Sequence, residues 1–147
     1  MSDRVFVDTN ILVYCRDFAF PDKQATAWEW VERLWRERSG RLSVQVCNEY
    51  LVTVTAKLKP GLSPEKAWRD VQNYTAWNPV ALDMGVLRRA RETQVRYQLS
   101  WWDSLIVAAA DQSECRLLLS EDLNSDQHYW GIRVVNPFSG TVAAVPE

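Results

Sequence analysis

Two hydrophobic rhythms alternate along this chain. Short, mainly apolar runs occur at Val5-Phe6-Val7, Leu42-Ser43-Val44, Val80-Ala81-Leu82, Arg116–Ser120 and Ile132–Val135, and each predicts a strand. Between them, apolar residues recur every three or four positions. Ile11 to Cys15 can start a short helix before Pro21-Asp22 breaks the pattern. From Gln24 to Arg38, Ala27, Val31, Leu34 and Trp35 form one helical face, opposite Glu29, Glu32, Arg33, Arg36 and Glu37. Ser39-Gly40 closes that helix. Cys47, Tyr50, Leu51, Val54 and Leu58 keep helical spacing up to Pro60-Gly61. Ser63-Pro64-Glu65 supplies a cap, a first helical position and an N-terminal acid. Asn78-Pro79 predicts a turn, Asp83 a cap for a helix from Met84 to about Gln98, and Ser100 a cap for Trp101 to Ser113. The tail after about residue 138 is expected to be loose.

Strands alternating with helices imply an α/β fold, with helices flanking a mostly parallel five-stranded sheet. Its crossovers are expected to be right-handed. The 147 residues suffice for a single domain spanning 1–147, without repeats or linkers. Ligands of such sheets bind beyond the carboxyl ends of the strands, so the residues just after each strand are where function is sought.

Composition narrows the classes. With 47% hydrophobic residues the chain can bury a core. Its longest apolar stretches, Val5–Val7, Leu105–Ala110 and Leu117–Leu119, fall far short of the roughly 20 residues that span a bilayer. Met1-Ser2-Asp3-Arg4 lacks the features of a signal peptide, so a soluble, cytoplasmic protein with no membrane partner is expected. Cys15, Cys47 and Cys115 are an odd, widely spaced set that suits small buried residues in a reducing compartment. The single histidine, His128, disfavours a zinc site and any triad that needs a histidine base. No glycine-rich phosphate loop follows a strand. A net charge of −2 argues against tight non-specific nucleic-acid binding by charge alone, yet catalytic carboxylates themselves push the balance negative.

Four acids stand where a site is expected. Asp8 follows the first strand, Glu49 lies in the first turn after the second, Asp122 follows the fourth, and Asp103 starts the helix that feeds the fourth. Each has a local explanation: an Asx-turn or cap for Asp8, a Ser100-x-x-Asp103 capping box, a helix-start preference for Glu49, and a turn for Asp122. Those explanations do not account for four acids at one sheet edge. Closely packed carboxylates are costly unless cations neutralise them. Hard oxygen ligands suit Mg²⁺ or Mn²⁺, and such ions activate water at a phosphodiester.

The residues around these acids resemble a known family. Val5-Phe6-Val7-Asp8-Thr9-Asn10-Ile11-Leu12 resembles the opening motif of PIN-domain nucleases, a strand followed by Asp-x-Asn. Asn48-Glu49-Tyr50 resembles the second motif, Trp101 to Ala110 the third, and Leu118-Leu119-Ser120-Glu121-Asp122-Leu123-Asn124 the fourth. The ending, Gly131 to Phe138, is similar to that of VapC-type toxins of bacterial toxin–antitoxin pairs. The four motifs stand in the family's order across essentially the whole chain.

The resemblance implies a PIN-like three-layer sandwich and endonucleolytic RNA cleavage by metal-activated water. It implies an acidic metal site of Asp8, Glu49, Asp103 and Asp122, ordered by Asn10 and Ser120. Mg²⁺ is the implied cofactor, with Mn²⁺ as a substitute. A cognate antitoxin and a homodimer are the implied partners beside the RNA substrate. Asp126 stays open, since some members carry another acid after the fourth motif and others do not. A non-toxin RNA-processing nuclease, or a catalytically weak binding module on the same scaffold, stays open as well. Within the set, the rigid strand end at Asp8 and the helix start at Asp103 assign these two to the tightest ion, the helix dipole favouring ionised Asp103. Glu49 reaches the same ion or acts through water, and Asp122 serves a weaker ion or orients water.

Other residues carry weaker expectations. Arg88, Arg89, Arg91 and Arg96 either grip phosphate or form a solvated helix face. Trp28, Trp30, Trp35 and Trp68, half of the eight tryptophans, fit a core or partner surface. Trp101 and Trp102, flanking Asp103, have a better claim to touch RNA.

Overall fold

A computed structural model describes residues 3–139. Strand β1 (Val5–Val7) runs into helix α1 (Thr9–Tyr14), followed by α2 (Pro21–Glu37), β2 (Gly40–Arg41) and α3 (Val44–Val52). A π-helical turn, Thr53–Lys57, continues α3. Helices α4 (Pro64–Tyr74), α5 (Met84–Tyr97) and α6 (Trp101–Gln112) lead to β3 (Leu117–Leu119), β4 (His128–Tyr129) and β5 (Ile132–Val135). The sheet order is β2-β1-β3-β5-β4, parallel throughout except for β4, which lies antiparallel to β5. The chain is thus an α/β sandwich around a mostly parallel five-stranded sheet. Among the described residues no helix is long and apolar enough to cross a membrane. The expected loose tail lies, from residue 140 on, outside the described residues.

Caps account for most helix starts. Ser63, Asp83 and Ser100 each accept an N–H bond from three residues on, at 3.2, 2.9 and 3.1 Å. Pro21 opens α2 instead of breaking the pattern. Its missing N–H falls where a helix has no acceptor to offer.

The second strand lies earlier than Leu42–Val44. Gly40 and Arg41 pair with Val5 and Phe6, while Ser43 caps α3 by accepting the Val46 N–H at 3.2 Å. The cap therefore outweighs the strand preference of Val44. Val80-Ala81-Leu82 is no sheet strand either. Val80 alone bridges Ser43, and Leu82 keeps half its surface in water, with no layer to cover it. The strand that completes the five in its place is β4, His128–Tyr129. Trp130 and Gly131, at φ 52° and 79°, turn it back onto β5 in a tight hairpin.

The core explains the alanine-rich α6. Ser104 to Ala110 are all buried, because Ile106, Val107, Ala109 and Ala110 join the sheet core while Leu105 and Ala108 meet Val86 and Ala90 of α5. At β2, a Cβ on Gly40 would lie 2.5 Å from the Trp77 ring, so only glycine lets that indole close over the strand.

From β1 the chain passes to β2 on one side, and β3 lies on the other. The topological switch point thus falls between β1 and β3, where open α/β sheets bind ligands. Asp8 continues β1 there, its N–H bonded to Leu119 O at 3.0 Å, and Ser120 continues β3.

Candidate active site

Asp8 is the most enclosed acid of the site. It is 7% exposed and accepts bonds from the Thr9 N–H and the Ser120 hydroxyl, both at 2.8 Å. The first of these makes Asp8 the cap of α1, so the local role holds alongside any other. Burial pushes its carboxyl up to about 6 from an ordinary 3.8. The Ser120 and Thr9 donors pull it back, and the charges of Asp122 and Glu49 push it up again.

Neutral donors tie the loop after β3 to Asp8. The Asn10 Nδ2 reaches Asp122 at 3.1 Å and Asp8 at 3.4 Å, and its Oδ1 accepts the Glu121 N–H at 3.2 Å. Ser120 is fully buried; its Oγ also accepts the Asp122 and Leu123 N–H groups at 3.2 and 3.3 Å. Glu49 lies past the first turn of α3, not in it as expected, because Ser43 caps the helix and starts it at Val44. It is held by Thr9 Oγ1 at 2.8 Å and by Gln45 Nε2 at 3.0 Å.

Asp103 sits at the third position of α6. Its carboxyl is raised by partial burial, lowered by Ser100, and raised by Asp122 and Glu49. The expected ionising effect of the helix start is thus outweighed. Asp122 and Glu49 act on both Asp8 and Asp103, so all four predicted acids belong to one electrostatic group. Among the described residues, the groups that act on either one include no cationic side chain.

Asp126 stands apart, paired with Arg133 at 2.7 Å. A cavity of ≈ 460 Å³ opens beside the acids, with Asn10, Glu49, Asp122, Tyr14, Phe20 and Lys57 among its lining residues. Arg89 is held by Asp111 at 2.8 Å and lies 3.5 Å over the Trp130 ring, and Arg96 also stacks on Trp130. These two arginines clamp the β4–β5 hairpin to α5.

Thr9 and Gln45 were not among the sequence candidates. Gln45 had a signal, standing one helical turn before Glu49. Thr9 had none, because its reach to Glu49 depends on how α1 packs against α3. Among the described residues, no three acids, histidines or cysteines converge closely enough to hold an ion as placed. The donor set nonetheless fits a hard divalent cation in kind: four coupled carboxylates with neutral supporting donors, Lys57 lining the adjoining cavity without being among the groups that act on Asp8 or Asp103.

A PIN-domain family model matches residues 5–130. The chain belongs to the PIN-domain family. Members are generally nucleases and generally use divalent metals. No curated protein matches the chain. Among solved structures it is similar to a toxin–antitoxin complex from Klebsiella pneumoniae, at a TM-score of 0.64 and 18% identity. That match covers 91% of this chain and 98% of the other. At this identity the likeness speaks for the fold.

Proposed function

We propose that this PIN domain is a metal-dependent endoribonuclease and the toxin of a VapC-type toxin–antitoxin pair, acting in the cytoplasm. The observation that carries the nuclease reading is Asp8: buried at the switch point, pushed up chiefly by that burial and further by two acids, and hydrogen-bonded only to neutral donors. A buried charge without a partner is unfavourable unless an external cation completes it.

Asp8 and Asp103 would hold Mg²⁺ or Mn²⁺ most tightly, with Glu49 beside them and Asp122 serving a weaker ion or the attacking water. When bound, the cation lowers the pKa of water and stabilises charge on the scissile phosphate. The chain's own residues prepare for that. Ser120 holds one Asp8 oxygen, and Asn10 holds Asp122 against Asp8. Thr9 and Gln45 fix both oxygens of Glu49. Ser120 is no nucleophile here, since its hydroxyl donates to a carboxylate and the lone His128 lies on an edge strand.

The toxin reading rests on the family's ending motif and on the fold shared with the Klebsiella complex. It brings RNA as substrate, a small antitoxin as partner and a homodimer as the resting assembly. The second reading, a weak binding module, is favoured by the failure of three acids to converge as placed.

Cleavage of RNA with Mg²⁺ or Mn²⁺, compared with chelator and with Asp8→Asn, tests the enzyme. Cleavage that survives either treatment sinks the metal site, and no cleavage by the wild type favours the binding module. Light scattering, alone and with any small protein encoded beside this chain as candidate antitoxin, tests the partners: a monomer that binds no such protein removes the toxin reading.

A further inference from the structure

A second cavity, ≈ 510 Å³, adjoins the acids and shares Glu49 with the first. Its lining is Val44, Gln45, Asn48, Glu49, Leu82 and Trp102. Trp102 is the residue before Asp103, yet it is 65% exposed, and Leu82 and Val44 beside it are 51% and 41% exposed. Three large apolar side chains thus stand in water around one hollow at the edge of the site. Isolated exposed apolar residues need no explanation, but a contiguous set around a concavity does. Its polar groups are amides. Asn48 is exposed, and Gln45 donates its Nε2 to Glu49, leaving its Oε1 as an acceptor.

We infer that this cavity is a nucleobase subsite, in which the base next to the scissile phosphate stacks on Trp102 while Asn48 offers its amide to the base edge. The inference rests on the ribonuclease reading and deepens it. A phosphodiester at the four carboxylates has its bases within one nucleotide of Glu49, and the cavity begins at Glu49. Single-stranded RNA is recognised by stacking unpaired bases on aromatic faces and by hydrogen bonds to their edges. An exposed indole beside aliphatic walls and the exposed Asn48 amide offers both. Stacking here tolerates any base, and the Asn48 amide gives the subsite its preference among bases.

The test uses the whole chain and short single-stranded RNA oligonucleotides with Mg²⁺. Trp102→Ala is expected to raise KM about 10- to 100-fold, the span of one lost base stack, with kcat within a few-fold. Trp102→Phe should recover most of that loss. Trp68→Ala, an exposed tryptophan of α4 that lines neither cavity, should change nothing. An abasic site scanned through the oligonucleotide should cost the wild type a similar factor at one position flanking the cut, and cost Trp102→Ala nothing more there.

Unchanged KM in Trp102→Ala, or an abasic penalty that persists undiminished in that variant, overturns the subsite. So does a Trp102→Ala protein that loses only its oligomeric state or a protein partner, which makes the face a protein contact. If wild type cuts RNA, Asp8→Asn does not, and Trp102→Ala behaves as wild type, the subsite alone falls. If wild type cuts no RNA, the ribonuclease reading falls and takes the subsite with it.

Discussion

Asp70 and Asp8 are both acids drawn largely out of water, and the molecule treats them in opposite ways. Asp70 receives the Arg16 fork on both oxygens, at 2.7 and 3.0 Å, and the Tyr50 hydroxyl at 2.5 Å. Its charge is met by a fixed cation, and Arg16 in turn lies against the Trp28 ring. Asp8 has comparable cover but only a serine, a backbone N–H and an asparagine as donors, with two further acids acting on it. One carboxylate is complete within the fold, and the other is the one we propose an external cation completes. A paired buried acid builds the structure, whereas an unpaired one among like charges marks where chemistry is held ready.

The widest separation between the two should appear in activity. Asp8→Asn and Asp103→Asn are expected to lower single-turnover RNA cleavage by at least about 10³-fold at saturating Mg²⁺, roughly 4 kcal/mol of lost stabilisation. Asp70→Asn should leave cleavage per folded molecule near wild type. If Asp70→Asn were as inactive as Asp8→Asn, the division into building acid and reacting acid would be wrong.

Stability should show the reverse. Removing one partner of a buried ion pair strands the other. Arg16 keeps 24% of its side chain in water, so Arg16→Met or Asp70→Asn is expected to cost about 2–4 kcal/mol, somewhat less than a fully buried pair. For a chain of this size that lowers Tm by roughly 2–4 °C per kcal/mol. A thermal melt of each variant in chelator checks it, and an unmoved Tm would make the pair a bystander.

The acids also differ in how pH acts through them. The Asp8 carboxyl at about 6, against 3.8, binds its proton more tightly in the folded chain than in the unfolded one. Stability from such a group is complete below about pH 4 and is lost as pH rises through 6. Metal-free protein is therefore expected to lose up to about 3 kcal/mol between pH 4 and pH 7 through this group. Asp8→Asn should flatten that dependence and raise Tm at pH 7 to 8. Mg²⁺ should raise the wild-type Tm there, because it binds only the folded state. Equal pH dependence in wild type and Asp8→Asn, followed by melts in chelator, would remove Asp8 as its source.

The sequence exposed one of these two acids and hid the other, for a physical reason. Asp8 and Asp122 follow strand ends and Asp103 starts a helix, so periodicity and caps place these three at one sheet edge. Glu49 joins them from the sixth position of α3, because the Ser43 cap starts that helix earlier than the spacing from Cys47 suggests. Asp70 lies within α4, and its partner Arg16 is 54 residues away in the chain. No local pattern carries that pairing. The same limit applied to the sheet. Leu42-Ser43-Val44 has strand composition, but Ser43 caps α3 and the strand lies earlier, at Gly40–Arg41. Val80-Ala81-Leu82 had strand composition without a second neighbour to pair with. His128–Tyr129 became a strand only because Trp130 and Gly131 accept the positive φ of a tight hairpin. The rise in the Asp103 carboxyl was hidden too, since a helix dipole is visible in sequence while partial burial and the approach of Glu49 and Asp122 are not.

The smallest expected effect distinguishes support from chemistry within the site itself. Ser120 is buried with its hydroxyl donated to Asp8 and its lone pairs accepting two N–H groups of the following loop. Ser120→Ala is expected to slow cleavage about 10-fold, about one hydrogen bond's worth. It should also move the pH profile. The Ser120 donor is the largest influence lowering the Asp8 carboxyl, so its loss pushes that carboxyl further up. The acid limb of kcat/KM should then shift to higher pH, with the rate partly recovered on the alkaline side. Ser120→Thr retains the hydroxyl, and cleavage by that variant should lie nearer to wild type. A 10-fold loss uniform across pH would mean that Ser120 only shapes the loop carrying Asp122. A loss as deep as that of Asp8→Asn would mean that the hydroxyl itself takes part in the reaction.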